Sequence, residues 1–433
     1  MQILMLGINY WPEEFGIAPF TTGRCEYLAS RGHQVTICTG FPYYPRWRIA
    51  DEYRGRTMAR EVRGGVTILR SWLYVPRRVT SLKRILHEGS FIAASLLRAM
   101  RQRKPDVLFV TSPPLGLSVA AIVLGRLWRV PYVFHVADLQ PDTAVDLGML
   151  KRGKLVRALY GLERIAYRDA ALVSTLTPAM RQRIVSKGIV PEKVVLFRDW
   201  TDPPLFDIPL QGGGEEFRDS LGLRDRLMVV HAGNMGVKQG LDIVLEAAQR
   251  SRAMEDIIYL LVGDGATRPA LEARAAALNL SNLKFLPVQR REAFHELLAA
   301  TDIALITQQR VVADIVFPPK TMTLLAAGRP IVASLKQSSE VARAGTVVAP
   351  EDPDALLKAI MALRHDPSAR ARCAQNGREY AGRLWNGERI LPEIERHLLR
   401  TVQNGRVSRH SSRPRTYYQS QPHEQASREA AEQ

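Results

Sequence analysis

At 433 residues the chain is too long for a single hydrophobic core, and its 46% apolar and 24% charged content is ordinary for a soluble globular protein of two or three domains. Its three cysteines, Cys25, Cys38 and Cys373, are odd in number and far apart, which excludes metal-ligand spacing and suits a reduced cytoplasm. The net charge of +17 is unevenly placed: residues 1–200 hold 30 Lys and Arg against 15 Asp and Glu, and residues 201–433 hold 30 against 28.

An anionic membrane surface or a nucleic acid would answer such a field. No nucleic-acid recognition motif accompanies it, so nucleic acid is set aside. The opening "MQILMLG" has no basic n-region or cleavage site, and no export is expected.

Short β-branched runs follow at 2–8, 34–40, 66–71, 106–111, 131–136, 170–176 and 193–197. Helix-like segments at 20–31, 80–104, 115–129, 151–168 and 178–187 alternate with them, which implies a mainly parallel sheet covered on both faces. The stretch "VLFVTSPPLGLSVAAIVLG" (107–125) resembles a membrane span. Its "SPPLG" centre breaks a helix, and the apolar run after it is far short of the ~20 residues a span needs. It reads instead as a strand, a turn and a buried helix.

The Pro-, Gly- and acid-rich segment 201–219 reads as a linker. Alternation restarts beyond it, through "RLMVVHAG", "DIIYLLVGDG", "NLKFLP", "DIALIT", "RPIVAS" and "GTVVA". The expected organisation is α/β, with Rossmann-like doubly wound domains at 1–200 and 220–385 facing each other across a cleft. A helix-like stretch at 386–400 precedes a polar tail at 404–433 that reads as disordered.

Five stretches carry chemistry. In "HAGNMGVKQG" (231–240), Gly233, Gly236 and Gly240 allow close backbone approach, and a helix from Leu241 would aim its amides into the loop beside Lys238. This is neither a Walker loop nor a G-x-G-x-x-G fingerprint. In "LLVGDG", Gly263 and Gly265 flank Asp264 at a strand end, fitting a base contact and equally a tight turn with a capping aspartate. "VFHVADLQPD" ends a buried strand with His135, followed by Asp138 and Asp142 in an acidic loop that suits a sugar. "NYWPEEFGIAPFTTG" opens the first helix at Gly16. "VFPPKTMTLLAAGRPIVAS" puts Lys320 at a helix start, where a cation opposes the macrodipole unless an anion joins it. Segment 79–104 is apolar at helical spacing and ringed with Arg and Lys; a core helix with a solvated face and a basic helix lying on anionic lipid are equal readings.

In order and spacing, "GINYWPEEFGIAPFT", "HVADLQPD", "GNMGVKQGLD", "VGDG", "PPKTMTLLAAGRPIVA" and "RLWNGERI" resemble retaining glycosyltransferases of family 4, which have the GT-B fold, and in particular their exopolysaccharide and O-antigen branch. The likeness covers residues 1 to about 400. It implies an N-terminal domain that binds the acceptor, a C-terminal domain that binds a nucleotide-diphosphate sugar, and a final helix crossing back to the first domain. Carried over by position, it implies Gly16 and Ile17 near the donor phosphates and His135 as the active-site histidine. Asn234, Gly236 and Lys238 would hold the diphosphate, with Lys238 catalytic. Gly263, Asp264 and Gly265 would meet the base, Lys320 and Thr323 the sugar and ribose, and Glu14 and Asp138 the acceptor side. Most of the wider family has Arg at the place of Asn234, Lys at that of Gln239 and Glu at that of Thr323.

Such a reaction leaves a nucleoside diphosphate, so preorganised amides and lysines can stabilise the charge that develops, and no cofactor or obligatory metal is expected. No carboxylate nucleophile stands out for a double displacement. The implied partners are a nucleotide-diphosphate sugar, a polyprenyl-linked saccharide acceptor and an anionic membrane surface, at a cytoplasmic site peripheral to the inner face of the membrane. Two rivals stand beside this reading: a nucleotide-sugar epimerase or phosphorylase of the same architecture, and a non-catalytic subunit of a polysaccharide-assembly complex.

Overall fold

A computed structural model of the protein describes residues 1–14, 16–78, 80–146, 153–310 and 320–410. In chain order its elements are β1 (Gln2–Leu6), α1 (Ala18–Ser30), β2 (Gln34–Gly40), β3 (Met58–Arg63), β4 (Val66–Ser71), α2 (Ser81–Met100), β5 (Val107–Ser112), α3 (Leu117–Trp128), β6 (Tyr132–Val136), α4 (Gln140–Asp146), α5 (Lys154–Asp169), β7 (Leu172–Thr175), α6 (Pro178–Ser186) and β8 (Val194–Leu196). They continue with α7 (Glu215–Leu221), β9 (Leu227–Ala232), α8 (Asp242–Arg250), β10 (Ile257–Val262), α9 (Arg268–Ala277), β11 (Leu283–Leu286), α10 (Arg291–Ala300), β12 (Ile303–Thr307), α11 (Lys320–Ala326), β13 (Ile331–Ser334), β14 (Thr346–Val348), α12 (Pro353–His365), α13 (Pro367–Leu384) and α14 (Gly387–His410).

The chain forms two compact units. One comprises Met1–Pro141, Arg152–Phe197 and Leu391 onward; the other comprises Asp142–Lys151 and Arg198–Ile390.

The first unit carries a sheet of order β3-β4-β2-β1-β5-β6-β7-β8. All its pairs are parallel except β3 with β4. Strand direction of growth reverses between β1 and β5, which makes that edge the switch point of the sheet. The hairpin strand β3 does not appear among the strands predicted from sequence. Its residues "MAREVR" offer no buried face, with Met58 and Val62 both exposed. Its signal was Gly64–Gly65, whose positive φ angles of 54° and 77° satisfy the two-residue turn that joins twisted antiparallel strands. Charged residues on this outer strand also discourage further strand addition.

The second sheet has order β11-β10-β9-β12-β13-β14 and is parallel throughout. All six residues of β10, "IIYLLV", are buried, as expected for a strand covered on both faces. Here the switch point lies between β9 and β12.

Segment 201–219, read from sequence as a linker, is folded. Residues 203–207 form a 3-10 turn, and α7 begins at Glu215. The buried Arg329 guanidinium ties this segment down through the carbonyls of Pro209 and Leu210, and also bonds those of Ala299, Thr301 and Ala327. Arg378 adds the carbonyls of Ile208 and Ala326. A stretch without apolar periodicity is thus ordered by two arginines far away in sequence.

The expected helix at 386–400 runs on as α14 to His410, so the first residues of the expected tail, 404–410, are helical; residues 411–433 lie outside the described residues. Within the first unit Glu395 of α14 accepts hydrogen bonds from His33 Nε2 at 2.9 Å and from Arg31 Nε and Tyr27 Oη at 3.2 Å. The stretch 107–125 resolves into β5, a turn and α3. Among the described residues no helix is long and apolar enough to cross a membrane. Helix α2 divides along its length: Phe91 and Ala99 are buried in the core, whereas Leu82, Ile85 and Leu86 stand exposed.

Candidate active site

The loop after β9 begins with two features that only glycine accommodates. Gly233 has φ 134°, and Gly263, in the loop after β10, has φ 140° with its α-carbon so close to the Gly233 carbonyl that a β-carbon would overlap it. Gly265, at φ 157°, meets the Met235 carbonyl in the same way. The two loops are laced together. Gly233 N donates to Val262 O and Met235 N to Asp264 O, both at 2.8 Å, while Thr267 Oγ1 donates to Met235 O at 2.7 Å. Arg268 Nη1 closes the back of the turn on Gly263 O at 2.6 Å.

Asn234 fits between the glycines. A β-carbon on Gly236 would lie 3.0 Å from its Nδ2, and one on Gly265 would lie 2.7 Å from its Oδ1. It therefore acts as a neutral wedge between loops. The exposed Asp264 spends Oδ1 on the amide of Gly265 at 2.8 Å.

The helix expected from Leu241 after the glycine turn is α8, with Leu241 as its N-cap. A 3-10 turn covers Val237–Gln239, Gly240 sits at φ 55°, and α8 begins at Asp242. Gly236 N is taken by Gln239 Oε1 at 3.1 Å, so this amide is satisfied within the loop. Lys238 is exposed on the 3-10 turn, and its carbonyl accepts from Gln309 N, just past β12, at 2.9 Å. This bond joins the loops on the two sides of the switch point.

Lys320, 89 residues further along than His231, comes to the same place. A β-carbon on Gly233 would lie 3.2 Å from Lys320 Nζ, so the ammonium sits directly over the glycine loop. Burial pulls the Lys320 pKa from 10.5 down to about 7. Nζ also lies 3.2 Å from Nε2 of His231, the penultimate residue of β9, which has 0% exposure. Burial first, and the Lys320 charge second, hold the His231 imidazole well below its usual pKa. Thr307 ends β12 and Thr321 follows Lys320 in α11; both are buried, and their hydroxyls have no hydrogen-bond partner among the described residues. Thr323 lies one helical turn from Lys320 on the same face of α11. His231 is missing from the sequence-derived candidates, whereas Gly233 is read there as one of the glycines that allow close backbone approach. The available signal was a histidine closing the otherwise apolar run "RLMVV".

The first unit holds the remaining candidates. Gly16, at φ 65°, is exposed and open, and Ile17 caps α1 without a side-chain bond. Glu14 is exposed. Its neighbour Glu13 is buried and staples three segments, with Oε1 accepting from the amides of Tyr43 and Tyr44 and Oε2 from Asn9 Nδ2, all at 2.8 Å. Burial raises the Glu13 pKa against the opposing pull of those amides. His135 lies within β6 at 2% exposure. Its Nδ1 is 3.0 Å from Ser174 Oγ, and its ring packs against Phe109 and Phe197. Desolvation, with the nearby Arg24 charge, holds it neutral. Asp138 is half-buried in the following loop, where its carbonyl accepts from Gln140 N at 3.0 Å. Thus Asn234, Gly236, Gly263, Asp264, Gly265 and Lys320 converge at one switch point, with Lys238 and Thr323 on adjoining turns, whereas Glu14, Gly16, Ile17, His135 and Asp138 belong to the other unit.

Two Rossmann-like units, the second with interlocked glycine loops and a lysine at its switch point, define a glycosyltransferase of the GT-B fold. Residues 15–200 match the glycosyl transferase 4-like domain and residues 214–380 match glycosyl transferases group 1. The chain belongs to glycosyltransferase family 4. It is 34% identical over 411 residues to the putative colanic acid biosynthesis glycosyl transferase WcaI of Escherichia coli, covering 91% of this chain and 98% of that protein. It is 26% identical to the probable glycosyltransferase WbjE of Pseudomonas aeruginosa, over 60% of this chain and 66% of the relative. In fold it is similar to Anabaena HepE in complex with UDP, with a TM-score of 0.68 at 17% identity over 92% of this chain and all of the other. It is likewise similar to sucrose-phosphate synthase from Thermosynechococcus elongatus, with a TM-score of 0.71 at 17% identity, covering 93% and 99%.

Proposed function

We propose that the protein moves a hexose, with retention at the anomeric carbon, from a nucleotide-diphosphate sugar to a polyprenyl-linked or growing oligosaccharide acceptor in exopolysaccharide assembly. The observation that carries this reading is the Lys320 ammonium over the Gly233 loop at the switch point of the second sheet. As the glycosidic bond breaks, negative charge grows on the terminal phosphate of the leaving diphosphate. A half-buried ammonium already aimed there stabilises that charge without reorganising, and more effectively than a fully solvated one. Lys238 adds a solvent-side cation, Asn234 holds the loops together, and Gly263 to Gly265 bring backbone within reach of the base.

In the first unit, His135 serves as a neutral hydrogen-bonding group on the acceptor side, not as a lone base. Gly16 and Ile17 are assigned to the donor phosphates, and Glu14 and Asp138 to the acceptor, by the family resemblance. Similarity to a protein named for colanic acid biosynthesis supports an exopolysaccharide product. The basic charge of residues 1–200 and the exposed Leu82, Ile85 and Leu86 support action at the inner face of the cell membrane. No metal is required in this scheme.

The test is a screen of UDP-, GDP- and ADP-hexoses against a polyprenyl-diphosphate-linked saccharide, read by mass spectrometry. Addition of one hexose from one donor is expected. A donor altered without acceptor would identify an epimerase, and neither transfer nor donor hydrolysis would identify a non-catalytic subunit.

A further inference from the structure

Lys320 has an unusual task as a donor-site cation: it must carry its charge while partly removed from water, and that desolvation favours its neutral form. Help comes from one side chain. His231 presents Nε2 at 3.2 Å from Lys320 Nζ and is itself fully buried in β9, so the half-buried lysine meets it on its protein side. Among the described residues His231 is the titratable group against this lysine, and burial is the cause of the lysine's shift. The opposing influence of the Asn234 and Leu305 backbone on the imidazole is smaller than the effect of burial. A ring that stays unprotonated can accept at Nε2 only if its proton is on Nδ1.

We propose that His231 is a positioning residue of the donor site: its Nε2 accepts a hydrogen bond from the Lys320 ammonium and holds that cation over Gly233, where the leaving nucleoside diphosphate is received. This rests on the donor-site reading and adds to it a residue that touches neither sugar nor phosphate. Three observations meet here. The histidine occupies the buried carboxyl end of the strand that feeds the glycine loop. The lysine tip lies against both the imidazole and Gly233. A fully apolar residue would complete the run "RLMVV" as well for packing, yet would leave the ammonium without that acceptor.

Three variants separate positioning from packing. His231→Leu removes the acceptor and keeps an apolar filling. His231→Gln places an amide oxygen near the Nε2 position, and His231→Asn is too short to reach it. Titration calorimetry with UDP and GDP across neutral to alkaline pH reads the outcome, with thermal melts to establish that each variant is folded. The Leu and Asn variants should bind about tenfold more weakly, and the pH above which affinity falls should move down by about one unit. His231→Gln should restore both to near wild type. Lys320→Met should abolish the proton uptake that accompanies UDP or GDP binding in wild type near pH 8. Should the Leu variant not fold, the Asn and Gln pair decides the matter. Wild-type binding with unchanged affinity and pH profile in Asn would overturn this inference alone. A wild-type protein that binds neither UDP nor GDP, nor ADP in the same cell, would overturn the donor-site reading and this inference with it.

Discussion

Lys320 and Lys238 are both lysines of the proposed donor site, yet their surroundings give them different weight. Lys320 is desolvated against His231 and Gly233, whereas Lys238 projects from an exposed 3-10 turn. Removing a preorganised group from a water-poor site costs about 10²–10³ in kcat, while an exposed cation loses most of its effect to solvent and salt. Lys320→Ala should therefore lower kcat about 10²–10³-fold and Lys238→Ala about tenfold or less, measured in the same transfer assay. Equal losses would contradict the assignment.

Burial also makes Lys320 a liability to the unliganded fold, with a sign that can be worked out. Its folded pKa of about 7 lies below its ordinary 10.5, so between those values the unfolded chain binds more protons and stability rises with pH. The destabilisation is complete below about 7 and vanishes above the unfolded value. Lys320→Met should accordingly melt higher than wild type near pH 6, with the difference shrinking towards pH 10. A difference independent of pH would show that the lysine is charged in both states throughout.

At the scale of elements, the strand–helix alternation was legible because buried parallel strands read as unbroken apolar runs, as in "IIYLLV" and "VLFV". Strand β3 was not, since an edge strand with exposed, charged residues lacks that run and is announced only by its glycine turn. The glycine loops and both lysines were legible as residues, but their meeting was not. Lys320 reaches Gly233 because β9 and β12 are neighbours in the sheet, and strand order is not written in local spacing. Segment 201–219 escaped for a related reason, since what orders it is Arg329, supplied from the turn before β13. Arg329→Ala removes hydrogen bonds to several carbonyls from a buried position, and a loss on the order of 3 kcal/mol is expected in chemical denaturation. Gly263→Ala should be at least as damaging locally, because its β-carbon would overlap the Gly233 carbonyl; nucleotide binding should be lost even where a folded protein is recovered.

For the whole molecule, charge and apolar exposure coincide in residues 1–200. Helix α2 exposes Leu82, Ile85 and Leu86 beside Lys83 and Arg84, with Arg77 and Arg78 just before it. Such a segment binds anionic lipid through both terms, with about 1 kcal/mol for each cation near the surface. Sedimentation with phosphatidylglycerol vesicles should retain the protein at low salt and release it at high salt. Replacing Leu82, Ile85 and Leu86 by Ser should reduce retention without changing nucleotide affinity. Equal retention on neutral vesicles would contradict an electrostatic contribution.

The retaining transfer itself is the central claim, and it is tested most directly by the stereochemistry of the product. Proton NMR of the glycosidic bond formed from an α-linked nucleotide hexose should show a new α-linkage, the same configuration as the donor. A β-linked product would contradict the account.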